Sequence, residues 1–234
     1  MNAFDYFFEH SKSSDRDFVI GPKETISYKQ LYNDCISLSQ YISSVASEEE
    51  MILIISPNNV FFITTYLAIL KSGRICVPLN PEIEQTNLDH IIDECGAKRV
   101  FIHTALIKKF NIERLEKTTE TDLTKIPAIQ KSNPDNEFNS QQCAEIIFTS
   151  GSTGWPKGVM ISHKNLITNT SSIIEYLNLQ ETDIMEVILP FYYCYGLSLL
   201  HTHLRVGGSI VLNNTFIFIG SVLNDLTKYQ CTGL

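Results

Sequence analysis

The stretch that decides the fold is Thr149-Ser150-Gly151-Ser152-Thr153-Gly154-Trp155-Pro156-Lys157-Gly158, which directly follows an apolar run over residues 144–148. Glycine allows positive φ angles and close approach of the backbone, so several N–H groups can converge on one anion. The Ser and Thr hydroxyls and the Lys157 ammonium add further donors. The stretch therefore predicts a phosphate-binding loop.

Other interpretations of this loop explain less of it. A turn without a ligand leaves Lys157 and the apolar run unexplained. A Walker A loop has Gly before its Lys and runs directly into a helix, whereas Lys157 follows Pro156 and the apolar residues 159–161 predict a strand. The nucleophile elbow of a serine hydrolase needs the pattern G-x-S-x-G. The five residues centred on Ser152 begin with Ser150 where that pattern requires Gly, so they do not match it. We expect a strand, a phosphate loop and a second strand.

Outward from the loop, strand-like and helix-like segments alternate along the chain. Continuous apolar runs predict strands that are buried on both faces, and apolar residues three and four positions apart predict helices. This alternation favours right-handed crossovers between parallel strands. The predicted fold class is α/β, with largely parallel sheets flanked by helices.

The predicted strands cover residues 18–20, 25–26, 51–55, 75–77, 99–103, 144–148, 159–161, 185–189 and 209–212. The predicted helices follow Ser27 and cover residues 60–71, 85–94, 162–177, 197–204 and 219–229, with a further helix after residue 103. A polar stretch with two prolines predicts a surface connection. We therefore expect a first α/β lobe over 1–116, a connection over 117–142 and a second lobe with the phosphate loop over 143–234.

Composition narrows the possible partners. The chain has 234 residues, of which 44% are hydrophobic, enough to bury a full core. With 18 basic and 26 acidic residues the formal charge is −8, and no basic cluster interrupts it. This balance argues against a nucleic-acid or anionic membrane surface and favours a small-molecule partner.

The spacing of the cysteines and the composition of the first ten residues predict the cellular compartment of the protein. The six cysteines show no C-x-x-C spacing, so neither a metal site nor a disulfide framework is predicted. Residues 1–10 are aromatic and acidic, unlike a secretory signal, and no apolar stretch reaches membrane-spanning length. The sequence predicts a soluble cytoplasmic protein without a membrane span.

Three further segments accompany the loop. Residues 25–31 read T-I-S-Y-K-Q-L, residues 66–81 contain L-K-S-G and V-P-L-N-P, and residues 189–197 read L-P-F-Y-Y-C-Y-G-L. In order and spacing they resemble the signatures of the adenylate-forming (AMP-binding) superfamily, which includes acyl-CoA synthetases, luciferases and peptide-synthetase adenylation domains. Tyr193 stands where many acyl-CoA synthetases have His, which leaves the acid, aliphatic or aromatic, open.

The resemblance implies a two-step reaction. A carboxylic acid and ATP, with Mg²⁺, form an acyl-adenylate and pyrophosphate, and the thiol of coenzyme A or of a carrier-protein pantetheine then displaces AMP. An acyl-carrier protein is thus a possible partner. By the same resemblance, the ATP phosphates contact Thr149, Ser150, Gly151, Ser152, Thr153, Gly154 and Lys157. The resemblance also implies that Tyr193, Tyr195 and Gly196 line the pocket for the acid, although ordinary packing explains the two tyrosines equally well.

The family's later signatures, including those for magnesium, ribose and the catalytic lysine of the lid, do not occur in the sequence. The resemblance therefore implies the N-terminal part of a longer ligase, with no catalytic residue of its own, little activity alone and most magnesium ligands elsewhere. The alternative is a non-catalytic phosphate-binding or interaction module that derives from the same family.

Overall fold

The computed structural model describes residues 1–21, 23–127, 138–149, 154–214 and 218–234. The strands are β1 Asp17–Val19, β2 Ile26–Ser27, β3 Met51–Ile55, β4 Ile75–Leu79, β5 Arg99–Ile102, β6 Glu116–Thr118, β7 Cys143–Thr149, β8 Lys157–Ser162, β9 Ile184–Val187 and β10 Ser209–Leu212. The helices are α1 Ala3–Phe7, α2 Tyr28–Val45, α3 Val60–Ser72, α4 Gln85–Cys95, α5 Glu120–Leu123, α6 His163–Leu177, α7 Cys194–Val206 and α8 Ile219–Lys228, with a 3₁₀ helix over Thr104–Lys109.

The strands form two sheets. One has four strands in the order β2-β1-β10-β9, and the other has six in the order β6-β5-β3-β4-β7-β8. Over the described residues, the antiparallel pairings between named strands are β1 with β2 and β7 with β8, and the other pairings are parallel. The predicted class, α/β with largely parallel sheets and flanking helices, is confirmed.

Both sheets combine strands from before and after the polar connection. In the six-stranded sheet β7 pairs with β4, and in the four-stranded sheet β10 pairs with β1. The predicted connection over 117–142 contributes the end of β6 and the short helix α5. The sequence boundary between the predicted lobes therefore does not separate the two sheets.

Local capping fixes where the main helices begin and end. The Ser27 side chain accepts a hydrogen bond from the Gln30 amide, and Ser162 does the same for Asn165, as N-cap residues do. Gly73, with φ of 73°, ends α3 in the left-handed conformation that glycine tolerates best. The predicted Ser27 and Ser162 starts and the Gly73 end are confirmed.

Strand β3 lies at the centre of the core. Ile52 and Ile54 belong to one buried apolar cluster, while Leu53 and Ile55 belong to a second one on the opposite face of the sheet. Helix α3 covers the first face and is buried along nearly its whole length. None of the helices in the described ranges is long and apolar enough to cross a membrane.

Candidate functional site

The β7–β8 hairpin carries the predicted phosphate loop at its tip. Thr149 and Lys157 are cross-strand partners in the last register pair before the loop, and the Thr149 hydroxyl donates to the Lys157 carbonyl at 3.5 Å. Both residues are exposed. The predicted ligands Ser150, Gly151, Ser152 and Thr153 lie outside the described residues. The strand predicted after the loop is confirmed as β8.

The residues on the return side of the loop fit an anionic ligand. Gly154 has a φ of 97°, which L side chains rarely adopt, and among the described residues nothing lies within 4 Å of the position of a Cβ there. A glycine in this conformation lets the backbone come close to a ligand. The Lys157 ammonium supplies positive charge and donors for phosphate oxygens at this end of the hairpin. The Thr149 hydroxyl can donate to a phosphate once it releases its 3.5 Å bond to the Lys157 carbonyl.

The predicted tyrosine segment forms the entry to α7. Tyr193 precedes the helix, and its amide donates to the Pro190 carbonyl at 3.2 Å. A Cβ on Gly196 would lie 2.2 Å from that carbonyl oxygen, so only glycine fits this close turn. Gly196 is buried, whereas 50% of Tyr193 and 65% of Tyr195 are exposed.

Asn58, which no sequence motif pointed to, holds this entry in place. Its side-chain amide donates to the Leu189 carbonyl at 2.8 Å, and its Oδ1 accepts from the Phe191 amide at 2.9 Å. The Asn214 side chain in turn donates to the Asn58 carbonyl at 2.8 Å. The start of α7 is thereby tied to the chain segment that follows β3.

A groove of about 690 Å³ lies between α6 and α7 and reaches down to β7. From α7 it is lined by Cys194, Leu197, Ser198 and His201, which share one helix face by their spacing. The predicted pocket residues Tyr193, Tyr195 and Gly196 adjoin this face and are not among the described lining residues. From α6 and β7 the lining includes Asn165, Asn169, Ser172 and Glu145.

Three buried polar side chains meet at the floor of this groove. The Tyr66 hydroxyl lies 2.7 Å from Glu145 Oε2 and 2.8 Å from His201 Nε2. Burial raises the pKa of Glu145 to about 7, against the opposing effect of the Tyr66 hydrogen bond. Burial also lowers the pKa of His201 to about 3, so the ring is neutral at physiological pH.

Sequence reasoning missed these three residues as a group. Glu145 was the available signal, because it is the single charged residue inside the apolar run 144–148 that precedes the loop. Such a residue is rarely buried without a specific partner. Tyr66 and His201 lie 79 and 56 positions away and meet it through the pairing of β4 with β7 and the packing of α7.

The hairpin tip and the groove are adjacent parts of one region. Thr149 follows Glu145 by four residues on β7, a distance of about 13 Å along an extended strand. The groove floor is therefore within the reach of a small ligand bound at the hairpin tip.

Comparison with known proteins gives consistent results. The sequence model of the family described as "AMP-binding enzyme" matches residues 8–234. The chain is 27% identical over 201 residues to 4-coumarate–CoA ligase 3 of Arabidopsis thaliana, covering 78% of this chain and 36% of that protein. It is 26% identical over 200 residues to D-alanine–D-alanyl carrier protein ligase of Bacillus anthracis, covering 85% of this chain and 40% of that protein.

The fold is similar to that of ATP-bound MatB from Rhodopseudomonas palustris, with a TM-score of 0.84 and 22% identity. That match covers 97% of this chain and 48% of the other. The chain thus spans less than half the length of each of these proteins.

Proposed function

The chain belongs to the family of AMP-binding enzymes, and from this premise we propose that its protein activates a carboxylic acid by adenylation. The observation that carries the proposal is the hairpin of β7 and β8, which places Thr149 and Lys157 opposite each other at the predicted phosphate loop. A groove of about 690 Å³ next to that hairpin, lined by both polar and apolar side chains, provides room for the acid. ATP and a carboxylic acid are the proposed substrates.

In the proposed reaction a carboxylate oxygen forms a bond to the α-phosphorus of ATP, and the bond from that phosphorus to the oxygen bridging to the β-phosphate breaks. The products are an acyl-adenylate and pyrophosphate. Charge on the phosphate oxygens is the main obstacle, so catalysis relies on positioned donors and cations. Lys157, Thr149 and the backbone at Gly154 would serve the β- and γ-phosphates, and Mg²⁺ bound with ATP would supply further positive charge.

The acid would lie along the face of α7 that lines the groove. Its carboxylate would lie close to the start of α7, where Tyr193, Tyr195 and Gly196 are found, and its other end would extend toward His201. The Asn58 hydrogen bonds support this arrangement because they fix the approach to α7. The start of that helix is thereby a rigid wall for a substrate.

For the second step we propose transfer of the acyl group to a thiol of coenzyme A or of a carrier-protein pantetheine. The named functions of the similar proteins, a CoA ligase and a carrier protein ligase, support both acceptors. We expect the 234-residue chain alone to have little activity, and we propose a cytoplasmic location, consistent with six unpaired cysteines.

The test is carboxylate-dependent ATP–pyrophosphate exchange by the protein extended along its reading frame, measured with a broad panel of acids. Lys157→Ala is expected to lower the exchange rate about a hundredfold or more, by analogy with loss of one donor to a developing negative charge. Lys98→Ala, which removes an exposed lysine before β5, is the matched control. If no acid supports exchange, the protein is instead a non-catalytic phosphate-binding or interaction module.

A further inference from the structure

The floor of the groove is a chain of buried polar groups taken from three separate elements. Tyr66 comes from α3, Glu145 from β7 and His201 from α7. The His201 ring is stacked between the rings of Phe7, at 4.6 Å, and Tyr66, at 5.6 Å. Exposure of Glu145 is 1% and of His201 is 3%, yet both line the groove. Their positions are therefore fixed by packing before any ligand arrives.

When Glu145 is ionised, as it is above its pKa of about 7, the directions of the hydrogen bonds follow from the number of hydrogens on each group. A tyrosine hydroxyl has one hydrogen, and Tyr66 donates it to Oε2 of Glu145. The Tyr66 oxygen can then only accept from His201, so the hydrogen of the neutral ring lies on Nε2. Nδ1 of that ring is consequently an acceptor.

Two acceptors are left for a ligand. Within the described ranges, the side-chain hydrogen bonds of Glu145 and His201 are those to Tyr66 through Oε2 and Nε2. Oε1 of Glu145 and Nδ1 of His201 are not among the fully enclosed polar atoms that lack a partner, so both acceptors are open to the groove that their residues line. An apolar group placed against these acceptors would leave them unsatisfied, which is unfavourable in a buried site. A ligand that donates a hydrogen bond satisfies them.

The walls of the groove carry both apolar side chains, such as Ile161, Leu166 and Leu197, and polar ones. Asn165, Asn169 and Ser172 of α6 and Ser198 of α7 supply amide and hydroxyl groups along its walls. Lys164 also lines the groove and is exposed, whereas Glu145 and His201 are buried. Among the described residues, the buried groups at the floor are the acceptors of Glu145 and the neutral His201 ring, and a second carboxylate would instead need a cation there.

The distances along α7 and β7 indicate which end of the acid would lie at the floor of the groove. From Cys194 to His201 is two turns of α7, about 10 Å along the helix axis. From Thr149 to Glu145 is about 13 Å along β7. An acid with its carboxylate near the phosphate loop and the start of α7 therefore reaches Glu145 and His201 with its remote end.

We propose that Glu145 and His201, oriented by Tyr66, select carboxylic acids that carry an amino or hydroxyl group at the end remote from the carboxylate. This inference rests on the proposed adenylation. Glu145 and His201 would contact the substrate and determine specificity, while Tyr66 would be a positioning residue.

The experiment compares acids of matched length in ATP–pyrophosphate exchange by the extended protein at pH 8, where Glu145 is ionised. Hexanoate, 6-hydroxyhexanoate, 6-aminohexanoate and adipate form one such set, repeated from four to eight carbons. The donor-bearing acids are expected to exceed the plain acid in kcat/KM by about tenfold to a hundredfold, the usual effect of leaving a buried polar group unpaired. The dicarboxylate is expected to be the poorest substrate of the set.

Glu145→Gln tests the residue directly, because the amide nitrogen places a donor where the carboxylate offers an acceptor. The variant is expected to lose at least tenfold of the preference for amino and hydroxy acids over the plain acid. Glu186→Gln is the matched control, since Glu186 is equally buried but pairs with Asn213 away from the groove. It is expected to keep the wild-type preference.

The possible results distinguish a failure of the proposed selectivity from a failure of the proposed adenylation. If no acid supports exchange, the proposed adenylation is wrong. If plain acids support exchange as well as the donor-bearing ones do, adenylation stands and the selectivity is wrong. The wild-type comparison needs no variant, so it remains decisive even where Glu145→Gln fails to fold.

Discussion

Nδ1 of His163 accepts a hydrogen bond from the backbone amide of Ala3 at 3.2 Å, across 160 positions of the sequence. His163 is fully buried at the start of α6, with the Phe138 ring edge-on to it at 4.6 Å. Helix α1 is thereby attached to α6. The bond requires a neutral ring, because a protonated Nδ1 cannot accept.

Acidification should weaken the fold through this residue. Burial, together with the positive charge of the N-terminus, lowers the pKa of His163 to about 4 from an ordinary value of 6.5. Between these values the unfolded chain binds a proton that the folded chain does not, so stability is lost as the pH falls from 6.5 to 4, by about 3 kcal/mol. Urea unfolding at a series of pH values measures this loss.

His163→Asn is the informative variant for that measurement. An asparagine oxygen can still accept from the Ala3 amide but does not titrate. Its stability is expected to fall less steeply with acid than that of the wild type. An equally steep fall in both proteins would show that His163 does not cause the acid sensitivity.

Glu145 should give the opposite pH dependence. Its pKa is raised to about 7 from 4.5 by burial, so between pH 4.5 and 7 the unfolded chain loses a proton that the folded chain retains. This contribution makes the folded state less stable as the pH rises, by about 3 kcal/mol above pH 7. Glu145→Gln should therefore stabilise the protein more at pH 8 than at pH 5.

Urea unfolding of the Glu145→Gln variant and the wild type at both pH values tests this expectation. The quantity of interest is the difference between the two proteins at each pH, since other groups titrate equally in both. A difference that does not change between pH 5 and pH 8 would contradict a buried, protonated Glu145.

Gly196 should tolerate no side chain. The methyl group of Gly196→Ala would lie 2.2 Å from the Pro190 oxygen, so the entry to α7 must move. Overpacking of this kind costs about 1–3 kcal/mol, and exchange activity should fall as well. In Gly220→Ala, on α8, the new methyl meets nothing within 4 Å, so a gain of about 0.5–1 kcal/mol is expected. Thermal unfolding of both variants distinguishes local crowding from a general effect of replacing glycine.

The single tryptophan should report on the phosphate loop. Trp155 follows Gly154, is 53% exposed and has its ring 4.7 Å from that of His90. Mg-ATP or pyrophosphate is expected to change its fluorescence, and Lys157→Ala should remove the change at the same ligand concentration. Unchanged emission of the wild type at millimolar ligand would count against phosphate binding at this loop.

Elements that depend on local physics were predictable from the sequence. Residues close in sequence determine the buried strand β3, the helix starts at Ser27 and Ser162 and the helix end at Gly73. The hairpin after Thr149 was predictable for the same reason, because an apolar triplet follows the loop.

Elements that depend on distant contacts were not predictable in this way. Helix α1 has five residues, too few to be stable alone, and it is held by the burial of Phe4 and Phe7 against the rest of the core. The predicted helix after residue 103 is a 3₁₀ helix with no buried residue to favour a longer one. The group of Tyr66, Glu145 and His201 exists only once α3, β7 and α7 are packed together.

Because Val19 in β1 pairs with Ile210 in β10, β1 cannot complete its parallel pairing until the chain has been synthesised as far as β10. At about 5–20 residues per second, a ribosome needs roughly 10–40 s to add the residues between these two partners. During that time the apolar side chains of β1 are outside the tunnel without their parallel neighbour. A chaperone that binds short apolar segments would find its target here in the nascent chain and lose it when β10 emerges.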